Sequence, residues 1–243
     1  MGKIGYGYGS EWHLLRHLGY HRQYLSAKAL NLLGGSSIEW LDFGFSSENT
    51  PLHDDREIRG VDFIEDEQVR ETWEEFWPQT GNPQNWDALG KVHYDHGEEW
   101  ILVEAKSHLD EMHSDCSARN RASTEMILSA LSETSRAFGN DKRPVETWLR
   151  NYYQYANRLA VLYFLMQVCE PAVPSHLLFL YFYGENRKNL KCPQHDYEWF
   201  SPIKEKNEWL GIDPAGALTK RIHTLFLPVN PLNTGGRPES PGR

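Results

Sequence analysis

Two charged residues at the end of one apolar segment are the first candidates for chemistry. Glu104 and Lys106 stand two positions apart at the end of residues 100–106. Because a β-strand projects alternate side chains to one face, this spacing predicts a carboxylate and an ammonium side by side. Charges on a core strand are unfavourable unless they are paired or bind a metal. The pattern therefore indicates a functional site at the end of a buried strand.

A second acid precedes this segment by the length of a hairpin. Asp87 stands at the start of another short apolar segment. Neighbouring carboxylates suit a hard cation such as Mg²⁺, which stabilises the charge that builds on the attacking and leaving oxygens when water attacks a phosphodiester. A lysine beside them can hold the attacking water or ease the formation of hydroxide. Asp87, Glu104 and Lys106 together predict metal-assisted hydrolysis.

The order of these residues, an Asp, a hairpin-length gap and then Glu-x-Lys, resembles the PD-(D/E)XK nuclease superfamily over roughly residues 9–185. The resemblance implies that Asp87 and Glu104 hold one or two divalent ions, usually Mg²⁺ with Mn²⁺ as a substitute, and that Lys106 orients the water. It also implies that the protein binds a nucleic acid, with DNA as the first candidate. Trp86 departs from the family pattern, which often has proline there. Superfamily members are frequently dimers, and the sequence leaves a monomer and a homodimer both open.

The first predicted helix carries a further acid. In the lambda-exonuclease-like and Holliday-junction-resolvase-like branch of the superfamily, a glutamate on this helix reaches the metal, and Glu11 resembles it. Ser10 is the predicted N-cap of the helix. The resemblance implies that Glu11 is a third metal ligand. The alternative is a first-turn acid that interacts favourably with the positive end of the helix dipole.

A later helical stretch, residues 144–167, carries two polar residues one turn apart, Gln154 and Arg158. In several branches of the superfamily a glutamine on this helix, followed one turn later by tyrosine or lysine, supports the active site or contacts DNA. The resemblance implies that role for Gln154 and, more loosely, for Arg158. The alternative is a polar stripe that faces solvent.

The charge of the chain is unevenly distributed. The formal net charge is −9, yet residues 39–75 contain 13 acidic and 3 basic residues, so the remainder carries about +1. This leaves room for a local basic groove despite the acidic total. The acidic segment is interpreted as a solvated insertion or, alternatively, as a phosphate mimic that covers the groove. Asp62 within it is a reserve metal ligand.

The order of predicted elements indicates an α/β protein with a mixed central sheet flanked by helices, an αβββαβ core of the restriction-endonuclease-like kind. We expect one nuclease-like domain over residues 1–228, with an acidic insertion around 46–80 and a disordered tail at 229–243. The elements expected are helices over residues 11–33, 118–138, 144–167 and 201–210, and strands over residues 37–45, 87–94, 99–106, 177–183 and 221–228.

The remaining composition favours a cytoplasmic protein. No long apolar stretch or signal-peptide pattern is present, which predicts no membrane association. The odd set of cysteines, Cys116, Cys169 and Cys192, is typical of reduced thiols. The hypothesis is therefore a Mg²⁺-dependent nuclease that acts on DNA. Two alternatives remain open, a catalytically silent nucleic-acid-binding module of the same fold and a metal-dependent hydrolase of a small phosphorylated substrate.

Overall fold

A computed structural model describes residues 7–41, 58–80 and 84–231, which fold into helices that pack on a β-sheet. The α-helices, in chain order, are α1 (Ser10–Gly19), α2 (Arg22–Leu33), α3 (Glu67–Phe76), α4 (Arg121–Ala137), α5 (Tyr153–Tyr163) and α6 (Phe200–Leu210). The strands are β1 (Ser37–Trp40), β2 (Ile58–Arg59), β3 (Asn85–Trp86), β4 (Ala88–Tyr94), β5 (Gly97–Lys106), β6 (Ser175–Tyr183) and β7 (Ile222–Pro228). A single π-helical turn, Phe164–Val168, follows α5.

Five of the strands form one mixed sheet in the order β1-β4-β5-β6-β7. The pairs β1/β4 and β4/β5 are antiparallel, whereas β5/β6 and β6/β7 are parallel. Strand β6 lies between β5 and β7 and is buried along nearly its whole length, which explains its unbroken apolar sequence. The predicted α/β class, with a mixed central sheet flanked by helices, is confirmed.

The predicted hairpin is present and places the first acid beside the second. Tyr94 pairs with Gly97 across the turn, and Gly97 has a φ of 137°, which glycine adopts without strain. Asp87 lies immediately before β4, and Glu104 lies near the end of β5. Because the strands are antiparallel, the start of β4 and the end of β5 meet at the same edge of the sheet.

Two hydrophobic cores cover the two faces of the sheet. On one face, α1 and α2 pack through Leu14, Leu25 and neighbouring residues onto Val103 and Leu180. On the other face, α3, α4, α5 and α6 pack over the side chains that include Leu102. Within the described ranges, no helix is both long enough and apolar enough to cross a bilayer.

The described part of the predicted acidic insertion contributes to the second core. Helix α3 buries Val69 and Trp73, and the Trp73 ring lies 4.9 Å from that of Phe164. Its glutamates, including Glu71 and Glu74, are exposed. The segment is therefore amphipathic, with a solvated acidic face and an apolar face on the core. Residues 42–57 of the predicted strand and insertion lie outside the described residues.

Some helix boundaries differ from those predicted. The single helix over residues 11–33 is two helices, because α1 ends at Gly19 and α2 begins at Arg22. The predicted helix over 144–167 begins as the 3₁₀ turn Val145–Leu149, and Asn151 with a φ of 62° separates that turn from α5. Val229 and Asn230 are buried, so the start of the predicted tail belongs to the packed domain, and residues 232–243 lie outside the described part.

Candidate functional site

Asp87 is fixed at the edge of the sheet by backbone hydrogen bonds. Its amide donates to the Val103 carbonyl at 3.1 Å, and its Oδ2 accepts from the amide of Ala105 at 2.6 Å. The partner residues flank Glu104 on β5, so the Asp87 carboxylate is held next to the strand segment that carries the second acid. Asp87 is partly buried.

Glu104 is a buried carboxylate, 3% exposed, whose two oxygens are both engaged by cations. Lys106 Nζ donates to Oε1 at 2.5 Å. Arg158 approaches Oε2 with Nε at 2.8 Å and with its terminal nitrogen Nη2 at 2.7 Å. Burying an ionised carboxylate is unfavourable without such partners. The predicted proximity of Glu104 and Lys106 is thus confirmed, and Arg158 joins them.

Helix α5 supplies the polar support. Lys106 Nζ donates to Gln154 Oε1 at 2.9 Å, and the Gln154 amide donates to Ser114 Oγ at 2.7 Å. Gln154 and Arg158 lie one turn apart, so both reach the same strand end from one face of the helix. The alternative of a solvent-facing stripe is wrong for Arg158, which is 4% exposed.

Arg158 is also tied to the segment that precedes Asp87. Its Nη2 donates to the Asn85 carbonyl at 2.6 Å, and its Nη1 donates to Asn157 Oδ1 at 2.9 Å. The guanidinium carbon lies 5.0 Å from the ring centroid of Trp86, a cation–π distance. Trp86, the departure from the family pattern, therefore packs against the arginine that neutralises Glu104.

The two carboxylates have opposite electrostatic environments. Burial, followed by the negative charge of Glu104, raises the pKa of Asp87 from 3.8 to about 7, although the Ala105 amide, Lys106 and Arg158 oppose the shift. Burial alone would raise the pKa of Glu104, but Arg158 and Lys106 together hold it below its ordinary value. At neutral pH Glu104 is ionised, whereas Asp87 lies close to its titration midpoint.

These residues fit one divalent cation better than two. A carboxylate has about four lone-pair positions, and the contacts with Lys106 and Arg158 occupy three on Glu104. The contact with Ala105 occupies one on Asp87. The raised pKa of Asp87 means that burial and the charge of Glu104 outweigh the influence of Lys106 and Arg158, so a bound cation would further stabilise its ionised form. Asp87 would therefore be the main protein ligand, and Glu104 would contribute its remaining lone pair.

Glu11 is not brought to this pair. It is exposed in the first turn of α1, where it lines a surface pocket together with Glu111. Over the described ranges, no three His, Cys, Asp or Glu side chains are close enough to hold a metal ion together. The role of Glu11 as a third metal ligand stays a prediction. The predicted N-cap is wrong, because Gly9 occupies that position and Ser10 Oγ donates to Glu111 instead.

The site has neighbours that the sequence interpretation missed. A small cavity of about 20 Å³ adjoins Glu104, Lys106 and Gln154. Its other polar walls include Lys206, which is 3% exposed on α6. The one available signal was helical spacing, since Lys206 precedes the buried Leu210 by four positions. Asp62, the reserve acid, is exposed on a turn.

The chain matches no protein-family model, and it matches neither a curated protein nor a solved structure. A functional proposal for this protein therefore rests on the chemistry of the site itself.

Proposed function

We propose that this protein is a divalent-metal-dependent phosphodiester hydrolase of the PD-(D/E)XK type, with the restriction-endonuclease-like fold, that acts on DNA. One observation carries the proposal. Two carboxylates and a lysine meet at one sheet edge, Asp87 through the Ala105 amide at 2.6 Å and Lys106 through Glu104 at 2.5 Å. Paired acids with different proton affinities beside a cationic amine are typical of hydrolytic centres.

Each residue has a distinct chemical role in this proposal. Asp87 and Glu104 would hold Mg²⁺ or Mn²⁺, which supplies Lewis-acid stabilisation of the charge on the phosphate oxygens. Lys106 already donates to Glu104 and Gln154, so the ammonium has a third proton with which to orient a water molecule. Gln154 and Arg158 would position these groups and would not touch the substrate.

The balance of charge favours binding of a cation together with an anion. With Asp87 ionised, its charge and that of Glu104 are matched by Lys106 and Arg158, so the cluster is neutral overall. A divalent cation alone would leave an excess of positive charge in a partly buried site. A phosphodiester would reduce that excess, so we expect the metal to bind more tightly when DNA is present.

The size of the cavity favours a polymer over an enclosed small substrate. Pockets that enclose small ligands typically have volumes of about 300–1,000 Å³. The cavity that adjoins Glu104 and Lys106 measures about 20 Å³, enough for water only. Two exposed arginines, Arg119 just before α4 and Arg121 at its start, are candidates for contacts with phosphates outside this cavity.

The decisive experiment is cleavage of labelled single-stranded and duplex DNA with Mg²⁺, Mn²⁺ or EDTA. We expect cleavage that requires the metal and falls by at least about 100-fold in Lys106→Ala and Asp87→Asn. Asp141→Asn is the matched control, because this aspartate is exposed in the loop after α4, and it should keep the wild-type rate. Metal-dependent cleavage that survives both site substitutions would rule out the assignment.

A second candidate is a DNA-binding module that performs no hydrolysis. It is favoured by the two contacts of Arg158 with Glu104, since a permanent guanidinium there takes over part of the role of a metal. This candidate predicts DNA binding that is unchanged by EDTA, with no turnover even in Mn²⁺. Fluorescence anisotropy with labelled DNA, performed beside the cleavage assay, distinguishes the two.

A further inference from the structure

A cavity beside Glu104 and Lys106 has the size and polarity of a site for one water molecule. Its volume is about 20 Å³, and a buried water needs about 10–15 Å³ and two to four polar partners. Polar residues line it from four elements, namely Glu104 and Lys106 on β5, Gln154 and Tyr155 on α5, Tyr181 on β6, and Lys206 on α6. Water in this cavity would therefore lie beside the lysine that our proposed function assigns to water positioning.

The Lys206 amine sits in an aromatic environment. Its Nζ lies 3.2 Å from the ring centroid of Tyr155 and 5.1 Å from that of Phe179. A hydrogen bond of 3.3 Å joins it to the Tyr181 hydroxyl. The described residues show no carboxylate within ion-pair distance of this amine. Lys206 is thus a buried lysine without an acidic partner, which is rare in protein interiors.

The two lysines at the cavity have different partners. Lys106 is ion-paired to Glu104 and acts as a donor. Burial, followed by the positive charge of Lys106, holds the pKa of Lys206 well below its ordinary value, so its amine more readily carries a free lone pair. Burial also raises the pKa values of Tyr155 and Tyr181, so both phenols stay protonated. Of the groups that face the amine, Gln154 does not titrate and Glu104 already accepts from two cations.

We propose that Lys206 is a catalytic residue that accepts a proton from the attacking water held in this cavity, an inference that rests on the proposed function. The O–H bond of the water breaks, and its proton bonds to the Nζ lone pair. The water oxygen forms the new bond to phosphorus, and the bond from phosphorus to the leaving sugar oxygen breaks. The leaving oxygen takes a proton from solvent. The resulting ammonium lies over the Tyr155 ring, which stabilises its positive charge.

The test compares Lys206→Met, Lys206→Arg and the control Lys204→Met in the cleavage assay. We expect the first two to lower the rate by about 100-fold, because neither side chain accepts a proton, and to lose the rise of the rate with pH. Lys204 is 75% exposed on the same helix, so its substitution should keep the wild-type rate and pH profile. Added methylamine should restore part of the activity of Lys206→Ala. Affinity for DNA, measured with Ca²⁺ in place of Mg²⁺, should stay within about 2-fold throughout.

The outcomes separate this inference from the proposed function. Wild-type cleavage that Lys106→Ala abolishes and Lys206→Met leaves unchanged in rate and pH profile would overturn the role of Lys206 alone. Absence of metal-dependent cleavage in the wild type would overturn both. If Lys206→Met does not fold, the ¹³Cε resonance of Lys206 in the wild type, identified by its loss in Lys206→Arg, decides the matter. The pH at the midpoint of its titration should lie well below that of an exposed lysine. A midpoint near pH 10.4, about the ordinary value for lysine, would contradict the inference.

Discussion

The carboxylate of Glu104 is the most constrained group of the candidate site. It is 3% exposed and accepts hydrogen bonds from a lysine and an arginine. Charges of this kind gain little net stability over apolar residues, but removal of one partner leaves the other charge buried and unpaired. We therefore expect the loss of Arg158 to lower the free energy of unfolding more than the loss of a surface ion pair.

Replacement of Arg158 by methionine should lower the free energy of unfolding by about 3–5 kcal/mol, because Glu104 then keeps Lys106 alone as a counter-charge. Urea denaturation measures the change. The double variant Arg158→Met/Glu104→Gln should recover part of the loss. Arg121→Met is the control, because the exposed Arg121–Glu125 pair contributes less than about 1 kcal/mol. Equal effects of the two arginine substitutions would contradict this view of the site.

The raised pKa of Asp87 predicts that the stability of the fold depends on pH. Its pKa is about 7 in the fold against an ordinary value of 3.8, so the folded chain holds the proton more tightly than the unfolded chain. Unfolding releases that proton between about pH 4 and pH 7, and stability therefore falls as the pH rises through this window. Without metal, Asp87→Asn should become more stable than the wild type by about 2–4 kcal/mol above pH 7.

The same measurement reports on the metal. Mg²⁺ at Asp87 would favour the ionised carboxylate, so saturating Mg²⁺ should reduce the difference between wild type and Asp87→Asn at pH 8 and have little effect at pH 5. Thermal or urea unfolding at both pH values gives the result. A difference between the two proteins that stays constant from pH 4 to pH 8 would exclude the raised pKa.

At the scale of the elements, the break before α5 decides where the supporting residues lie. Asn151 adopts a φ of 62°, its amide donates to Asp115 Oδ1 at 2.7 Å, and its carbonyl accepts from the Ser114 amide at 2.7 Å. Ser114 Oγ in turn accepts from the Gln154 amide. This loop therefore anchors the first turn of α5 and with it Gln154, whose side chain contacts Lys106.

A β-branched residue at this position should be poorly tolerated. Asn151→Val would place valine in the left-handed region, at an expected loss of about 1–3 kcal/mol of stability. Cleavage activity should fall as well, because Gln154 loses its fixed position. Asn151→Gly adopts the same backbone conformation freely and is the matched control. Chemical denaturation and the cleavage assay test both statements, and equal behaviour of the two variants would refute the role of the loop.

At the scale of the whole molecule, local sequence patterns were sufficient to predict which site residues lie on strands. Long-range packing determines which helix residues surround them. Strand alternation was sufficient to place Glu104 and Lys106 on one face, and the spacing to Asp87 was sufficient to predict the hairpin. The predicted helix over residues 201–210 and its spacing could suggest which side of the helix Lys206 occupies, but its contacts follow only from the docking of α6 on β6 and could not be predicted.

The positions of helix ends were also predicted incorrectly from the sequence. Asparagine tolerates a positive φ without requiring it, so the residue type at 151 did not reveal the break before α5. Similarly, serine is a favourable N-cap residue, yet Gly9 occupies the N-cap position of α1, and Ser10 Oγ donates to Glu111, which is distant along the chain. In each case a tertiary contact outweighed a local preference.

The residues of the candidate site are separated by very different distances along the chain. Contacts within the β4–β5 hairpin join near neighbours, whereas Arg158 reaches Glu104 across 54 positions. Hairpins form in about 1–10 µs, and contacts between distant segments form more slowly because a long loop must first close. We expect Glu104 to stay hydrated in early folding species and to lose its water only when α5 docks. Completion of the charge cluster would then mark a late stage in the maturation of the chain.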